Sequence, residues 1–265
     1  MATTSTESKK SKGTFFKKEN ESWGEFSLSM IVAILVALLI RTFLLQPFVI
    51  PSGSMKPNLM IGDFLFVSKY SYGYTKHSFP FSLPLFEGRV MGSEPQIGDI
   101  VIFKGPYDPD TDYIKRLVGK PGDHIQMKEG ILHINDVPCP VAPDGEYIDD
   151  RWEGQGAGET ERPMPRYVET LPNGVKHYIV KRDRFGGGML DNTQEYVVPE
   201  GHYFMVGDNR DESGDSRVLK QIGYVPQDNV IGQAQFIWFS SSAKWWEIWN
   251  WPLSIRFKRL FKQIN

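Results

Sequence analysis

Cysteine is nearly absent from this chain, with Cys139 alone in 265 residues. A single thiol excludes an internal disulfide and any multi-cysteine zinc site. Histidine is scarce as well. His77, His124, His133, His177 and His202 nowhere show the HExxH spacing of a zinc peptidase. Neither charge sign is in excess. The formal net charge of -2 gives no argument for nucleic acid as a partner. Phosphate and calcium loops are missing too. "GKPGD" from Gly119 is too short for a Walker A loop. "DNRDESGDS", Asp208–Ser216, is calcium-like only on the surface. With Gly214 as the loop glycine, position one is Asn209 and position twelve is Lys220, where a bidentate glutamate belongs. The reading implies no metal and no cofactor.

One long hydrophobic run is present. "FSLSMIVAILVALLI", Phe26–Ile40, carries no charge, and the pattern predicts a single transmembrane helix over 26–45. At about 1.5 Å per residue it spans roughly 30 Å, one bilayer core. Arg41 lies near one end, where its stem can snorkel to the headgroups. A cleaved leader would need a small-x-small site after the run, and none follows. A soluble core helix would show a polar face, and Phe26–Ile40 offers only two serines. Residues 1–25 are polar, with Lys9, Lys10, Lys12, Lys17 and Lys18, and read as a disordered tail. Only Lys56 appears in the twenty residues after the span. The positive-inside rule then puts the N-terminus in the cytoplasm and the rest outside.

The remainder reads as mainly β. Gly 25 and Pro 18, with many Val, Ile, Tyr and Phe, favour strands broken by turns. Pro47 and Pro51 stop the helix and force extended backbone. Strands are expected in "DFLFVSKYSYGY", "DIVIFK", "DYIKRLVG", "KHYIVKR", "EYVVPEGHYFMVGD" and "NVIGQAQFIWFS". "MKEGILHINDVPCP" reads as a hairpin with a Glu-Gly turn. Residues about 140–175 have weak strand signal and read as loops. The expected organisation is a β core over 46–124 and 200–242, with a second β-subdomain, 125–199, inserted into it. Residues 243–265 form a basic, tryptophan-rich tail. After Pro252, Leu253, Phe257, Leu260, Phe261 and Ile264 fall on one helical face. This predicts an amphipathic helix, lying in a membrane interface or packed on the β-domain.

The chemistry is concentrated in few places. "FVIPSGSMKPNLMIGDF", Phe48–Phe64, holds Ser52 and Ser54 one residue apart, directly after the span. A hydroxyl needs a base at neutral pH, and nothing local selects one of the five histidines. A lysine can serve if burial lowers its pKa. On the "DYIKRLVG" strand, Tyr113, Lys115 and Leu117 share one face, and Ile114, Arg116 and Val118 share the other. Lys115 would sit between large apolar neighbours, as a desolvated base requires. Taken alone, the strand fits an ordinary solvated lysine as well.

Three segments together narrow this. "PSGSMKPNLMIGD", "IKRLVGKPGD" and "GDNRDESGDSR", in this order behind a membrane span and with "GDIVIFK" at Gly98–Lys104, resemble the boxes of the type I (leader) signal peptidases. That resemblance implies a membrane-bound serine endopeptidase with a Ser–Lys dyad. It would cleave exported preproteins after small residues of the Ala-x-Ala type, on the outer face of the bacterial cytoplasmic membrane. Its partners would be preproteins and the lipid bilayer. Carried onto this chain, Ser54 is the nucleophile and Lys115 the general base. Ser52, with the Ser54 N–H, forms the oxyanion hole. Ser213 orients Lys115. Asp208 pairs with Arg116 and Asp215 with Arg217, bracing the Ser213 loop. Gly53 is expected to allow a tight backbone between the serines. Two departures stand out: Lys56 follows the nucleophile by two, and Gly214 stands where alanine is usual. Phe48, Ile50, Met55 and Ile114 are candidate pocket walls, with core packing the competing role. The other readings are a self-cleaving repressor type, a Ser–His hydrolase, and a tethered, non-catalytic β-domain that binds exported chains.

Overall fold

The computed structural model describes residues 23–79, 82, 87–148, 163–243 and 248–264. The expected disordered tail therefore lies outside the described residues up to residue 22. The chain divides into two units, 1–40 and 41–265. Helix α1, Trp23–Phe43, is long and apolar enough to cross a membrane. Its leucines and isoleucines stand exposed, and Thr42 alone is buried. The helix stops at Phe43, short of the expected 45, because Leu45–Val49 is drawn into a strand, β1. Pro47 cannot donate a ladder hydrogen bond, and β1 accordingly occupies a sheet edge.

The fold is mainly β behind this one helix. The largest sheet has eight strands. Its path runs from β1 through β2 (Asp63–Ser68), β14 (Val230–Ser240), β3 (Ile100–Lys104) and β4 (Asp112–Gly119) to β12 (His202–Val206) and β13 (Val225–Pro226), with β15 (Lys262–Gln263) beside β14. Its neighbouring strands pair antiparallel. Strand β4 is central, between β3 and β12, and is buried from Ile114 to Gly119. One core gathers Leu65, Val67, Ile100, Ile102, Ile114 and Ile237; another gathers Val101, Phe103, Leu117 and Met205. Each such side chain contributes about 1.5–3 kcal/mol on leaving water.

Two smaller sheets carry most of residues 124–197. One holds β5 (His124–Lys128), β6 (Ile131–Ile134), β7 (Val137–Pro138) and β11 (Tyr196–Val197). The turn between β5 and β6 is Glu129-Gly130, with φ of 48° and 79°. Two positive φ values define the hairpin turn that the Glu-Gly pair suggests. The other sheet joins β8 (Val141–Tyr147), β9 (Met164–Thr170) and β10 (Lys176–Val180). Here the sequence misleads, since this region reads as loop. Pro143 and Gly145 are absorbed by a register shift between Pro143 and Glu146, which lets pairing with β9 continue.

The tail differs from expectation as well. Among the described residues no continuous amphipathic helix forms. A four-residue helix, α2 (Trp251–Ser254), and a 3-10 turn at Phe257–Arg259 lead into β15. The reason is electrostatic. Asp63 is fully buried, and Arg259 reaches it with Nε at 3.0 Å and Nη2 at 2.5 Å, while Arg256 Nη1 donates to the Ile61 carbonyl. Ile264 packs on the core, leaving Phe257 and Phe261 exposed.

Candidate active site

Two loops and one strand build the site. The serine loop joins β1 to β2. It is closed at its base by Ile50 N–H donating to Asp63 O and Gly62 N–H to Ile50 O. Met55 and Leu59 are wholly buried and pin the loop to the core, so Ser54, directly before Met55, has little freedom. The second loop, after β12, carries Asp208 to Arg217. Asn209 joins the two loops: its backbone N–H donates to Ser54 O at 3.1 Å, and its Nδ2 to Gly53 O at 3.2 Å. Strand β4 passes beneath and brings Lys115.

Lys115 Nζ stands 2.5 Å from Ser54 Oγ. Lys115 is 3 % exposed and Ser54 7 %. Burial disfavours the lysine's charged form and lowers its pKa to about 8. The carboxylates of Asp215 and Asp208 oppose that shift, and Arg217 adds to it. The pair lies at an open cleft of about 450 Å³ lined by Ser52, Gly53, Ser54, Lys56, Tyr113, Lys115, Glu212, Gly214 and Gln221. No histidine lines it. The Ser54 N–H and the Ser52 hydroxyl have no protein hydrogen-bond partner among the described residues. Two donors thus stand idle beside Ser54 Oγ.

Arg116 points the opposite way from Lys115. Its Nε donates to Asp208 Oδ1 at 2.8 Å and its Nη2 to Asp208 Oδ2 at 2.9 Å, both groups 1 % exposed. Arg217 grips Asp215 the same way, at 2.8 Å through Nε and through Nη2. Burial is the largest single influence and works against each aspartate's charge, but the facing guanidinium together with the other groups around each carboxylate outweighs it, and both stay below the usual carboxylate range. Ser213 is placed differently from its expected contact. Its buried hydroxyl has no hydrogen-bond partner in good geometry, and none joins it to Lys115. It packs against Gly207, where an added β-carbon would stand 2.1 Å from its Oγ, and lies beside Asp215. The expected pocket walls are also placed elsewhere. Ile50, Met55 and Ile114 are core residues, Phe48 packs against that core, and none borders the cleft.

Gly53 needs a different explanation as well. It lacks the positive φ found at eleven other glycines. The Lys56 side chain lies over it: a β-carbon there would come 2.8 Å from both Cε and Nζ of Lys56, the far end of a flexible side chain that would have to shift.

Several residues of this region escape a sequence reading. Behind Asp208 lies a buried charge cluster spanning β9, β10 and the second loop. His177 Nε2 is 3.2 Å from Glu169 Oε2 and 3.7 Å from Asp208 Oδ1, and Arg210 donates to Glu169. Glu169 is held down to about 2, since Arg210 and His177 outweigh its burial. Burial and the charge of Arg116 push His177 below its ordinary value. Asn58 Nδ2 ties Asp208 Oδ2 to the Tyr178 carbonyl at 2.7 and 2.6 Å. Nothing local in the sequence signals this cluster, because β9 and β10 are remote from the second loop along the chain.

A hydroxyl and a buried amine in contact at the floor of an open cleft make the chemical outfit of a hydrolase that attacks through serine. Comparison with known proteins fixes the group. The family model described as "Signal peptidase, peptidase S26" matches residues 23–239. "Signal peptidase I" of Rickettsia massiliae (strain Mtu5) is 39 % identical over 270 residues, covering 94 % of this chain and 94 % of the relative. That of Rickettsia typhi (strain ATCC VR-144 / Wilmington) is 40 % identical over 269 residues, covering 93 % and 96 %. A solved signal peptidase I from Enterococcus faecalis V583 is 26 % identical over 53 % of this chain and 97 % of its own, with a TM-score of 0.30, too loose a superposition to inform geometry. The chain belongs to the S26 signal peptidase family, and so to the proteases of signal-peptide processing.

Proposed function

We propose that the chain cleaves signal peptides from exported preproteins after small residues, with Ser54 as nucleophile and neutral Lys115 as general base. The observation that carries this is the 2.5 Å contact between Lys115 Nζ and Ser54 Oγ, with the lysine lowered to about 8 by burial. Neutral Nζ accepts the Oγ proton as the oxygen attacks the scissile carbonyl. The oxyanion formed is held by the Ser54 N–H and the Ser52 hydroxyl. Protonated Lys115 then gives its proton to the leaving amine, and the signal peptide remains as an ester on Ser54. A water, deprotonated by Lys115, attacks that ester, and Ser54 recovers its proton. Ser213 acts through Asp215 and the loop they share rather than by touching Lys115. The buried pairs Arg116–Asp208 and Arg217–Asp215 fix the backbone that carries these groups.

The substrate is itself a membrane-inserted peptide. Helix α1 supports an anchor in the cytoplasmic membrane, with the N-terminus inside and the β unit on the outer face. Specificity for small residues is assigned to walls of the cleft between Ser52 and Gln221.

The test uses the full chain in detergent micelles and a preprotein with an Ala-x-Ala site. Wild type is compared with Ser54→Ala, Lys115→Met and each histidine changed in turn. Both site variants are expected to lose cleavage while the histidine variants keep it. Normal cleavage by Lys115→Met would overturn the mechanism. Normal cleavage by Ser54→Ala would leave the tethered, non-catalytic reading.

A further inference from the structure

One cavity of the unit 41–265 takes no part in the proposed chemistry. It measures about 500 Å³ and opens to solvent. Arg41 and Thr42, from the last turn of α1, form part of its wall. The remainder comes from segments far apart in sequence. Lys69 directly follows β2, His77 lies in a 3-10 turn at Lys76–Ser78, and Lys104 ends β3; Asp110 precedes β4, and Asp112 begins it.

The ionic groups of this cavity do not balance. Lys104 Nζ is paired with Asp112 Oδ1 at 2.9 Å. Lys69 is 3 % exposed, and its Nζ donates to a neutral acceptor, the Ser78 carbonyl, at 2.5 Å. An ammonium has three donors, so this one keeps capacity for an anion. Burial and the charge of Arg41 lower the Lys69 pKa to about 8, with Asp112 opposing the shift, so the amine stays mostly charged at neutral pH. The Arg41 guanidinium is exposed and has no hydrogen bond or ion pair among the described residues. Burial, Lys76 and Lys104 hold His77 below its ordinary value against Asp112 and Asp228, so it adds no charge there. Arg41, Lys69 and Lys104 against Asp110 and Asp112 leave one positive charge in excess, the amount that a single phosphodiester neutralises.

Location indicates which phosphodiester. Arg41 belongs to the last turn of a 21-residue helix long and apolar enough to cross a membrane, and so stands at the depth of the headgroups. Phe79 and Ser82, from the uncharged stretch "FPFSLPLF", line the same cavity. We propose that this cavity seats the phosphate of a membrane phospholipid of net charge -1, held between the Arg41 guanidinium and the Lys69 ammonium. The proposal rests on α1 being a membrane anchor, as set out above. A guanidinium and an ammonium both form charge-assisted hydrogen bonds to phosphate, and the anion offsets the repulsion between them.

The test follows the melting temperature of the full chain in non-ionic detergent micelles as phosphatidylglycerol is added. A ligand of the folded state at about 100 times its dissociation constant should raise the melting temperature of a domain of this size by roughly 5–10 °C. Wild type is expected to show a saturating rise of that order. Arg41→Gln and Lys69→Met should lose most of it, and Arg41→Lys should keep at least half. Lys220→Gln, which removes an exposed lysine outside the cavity, should keep all of it. Should Lys69→Met fail to fold, exposed Arg41 still allows Arg41→Gln to decide. An equal rise in wild type and Arg41→Gln overturns the proposal. So does a loss as large in Lys220→Gln, which would mark a general surface attraction. Inorganic phosphate at the same concentration should shift wild type by less than about 1 °C, and a rise matching that with lipid would make the ligand free phosphate and overturn the lipid assignment. Reconstitution into phosphatidylcholine vesicles, with carbonate washing and flotation, separates the two levels. Wild type and Arg41→Gln should both stay with the vesicles. Release of wild type sinks the anchor reading beneath, whereas retention without a lipid-dependent rise sinks this inference alone.

Discussion

Asp208→Asn changes one atom and should leave two separate marks. The first is on stability. Asp208 is 1 % exposed and receives two guanidinium hydrogen bonds from Arg116, itself 1 % exposed. Removing one charge of a buried pair costs about 3–5 kcal/mol, because the other charge is stranded. Asparagine still accepts one of the bonds, so the lower end, about 3 kcal/mol, applies. For a domain of this size, roughly 2–4 °C per kcal/mol, the melting temperature should fall by about 6–12 °C. The second mark is on the base. The Asp208 carboxylate raises the pKa of Lys115, against the lowering by burial. Losing that carboxylate moves Lys115 further below about 8, and the alkaline rise in activity shifts toward lower pH. The assays are thermal unfolding in micelles and initial cleavage rates against pH. A melting temperature within about 2 °C of wild type would refute the buried-pair argument. A shift of the rise toward higher pH would refute the electrostatic one.

Three further outcomes are expected. His177 binds its proton more weakly when folded, so the unfolded chain takes up the proton first as pH falls. Its contribution to stability is complete above about pH 6.5 and lost below it. The groups facing it are Arg116, Asp208 and Glu169, and Arg210 in turn donates to Glu169. The carboxylates, held low in the folded state, add their own loss only below about pH 4. Melting temperature should therefore fall between pH 7 and 5, and His177→Gln should flatten that fall; an equal slope in both proteins would count against the cluster. Ser52→Ala removes one oxyanion donor and should lower kcat about 10²-fold with little change in KM, as read by steady-state cleavage; a variant with wild-type kcat would remove Ser52 from the mechanism. Treatment with EDTA should leave the rate of cleavage unchanged, and a loss restored by added metal would contradict a metal-free lysine base.

Much of this was legible because the signals are local. The uncharged run before Arg41 marks the helix, alternation in "DYIKRLVG" marks a strand, and Glu129-Gly130 marks its hairpin. The three motif segments were enough to bring Ser54 and Lys115 into one argument across sixty-one positions. What stayed hidden depends on distant partners. Nothing around Asp63 announces that Arg256 and Arg259 will fold the tail back onto it, so helical spacing there misled. The sheet holding Pro143 looked like loop because bulges are invisible to a propensity reading. Glu169 and His177 sit on strands whose contact with the Asp208–Arg217 loop appears only in three dimensions. Gly53 O accepts from Lys56 N–H in a tight turn, and only the fold shows that the Lys56 side chain lies over Gly53, where a β-carbon would go.

Cleavage by the proposed mechanism turns on one proton, that of Ser54, and on a lysine neutral enough to take it. The most direct test is kcat/KM for preprotein cleavage measured from about pH 6 to 10. With Lys115 at about 8 and its neutral form active, the rate should rise tenfold per pH unit below 8 and level off above it. A rate that stays flat across that range, or falls as pH rises through 8, would contradict a neutral Lys115 as the base.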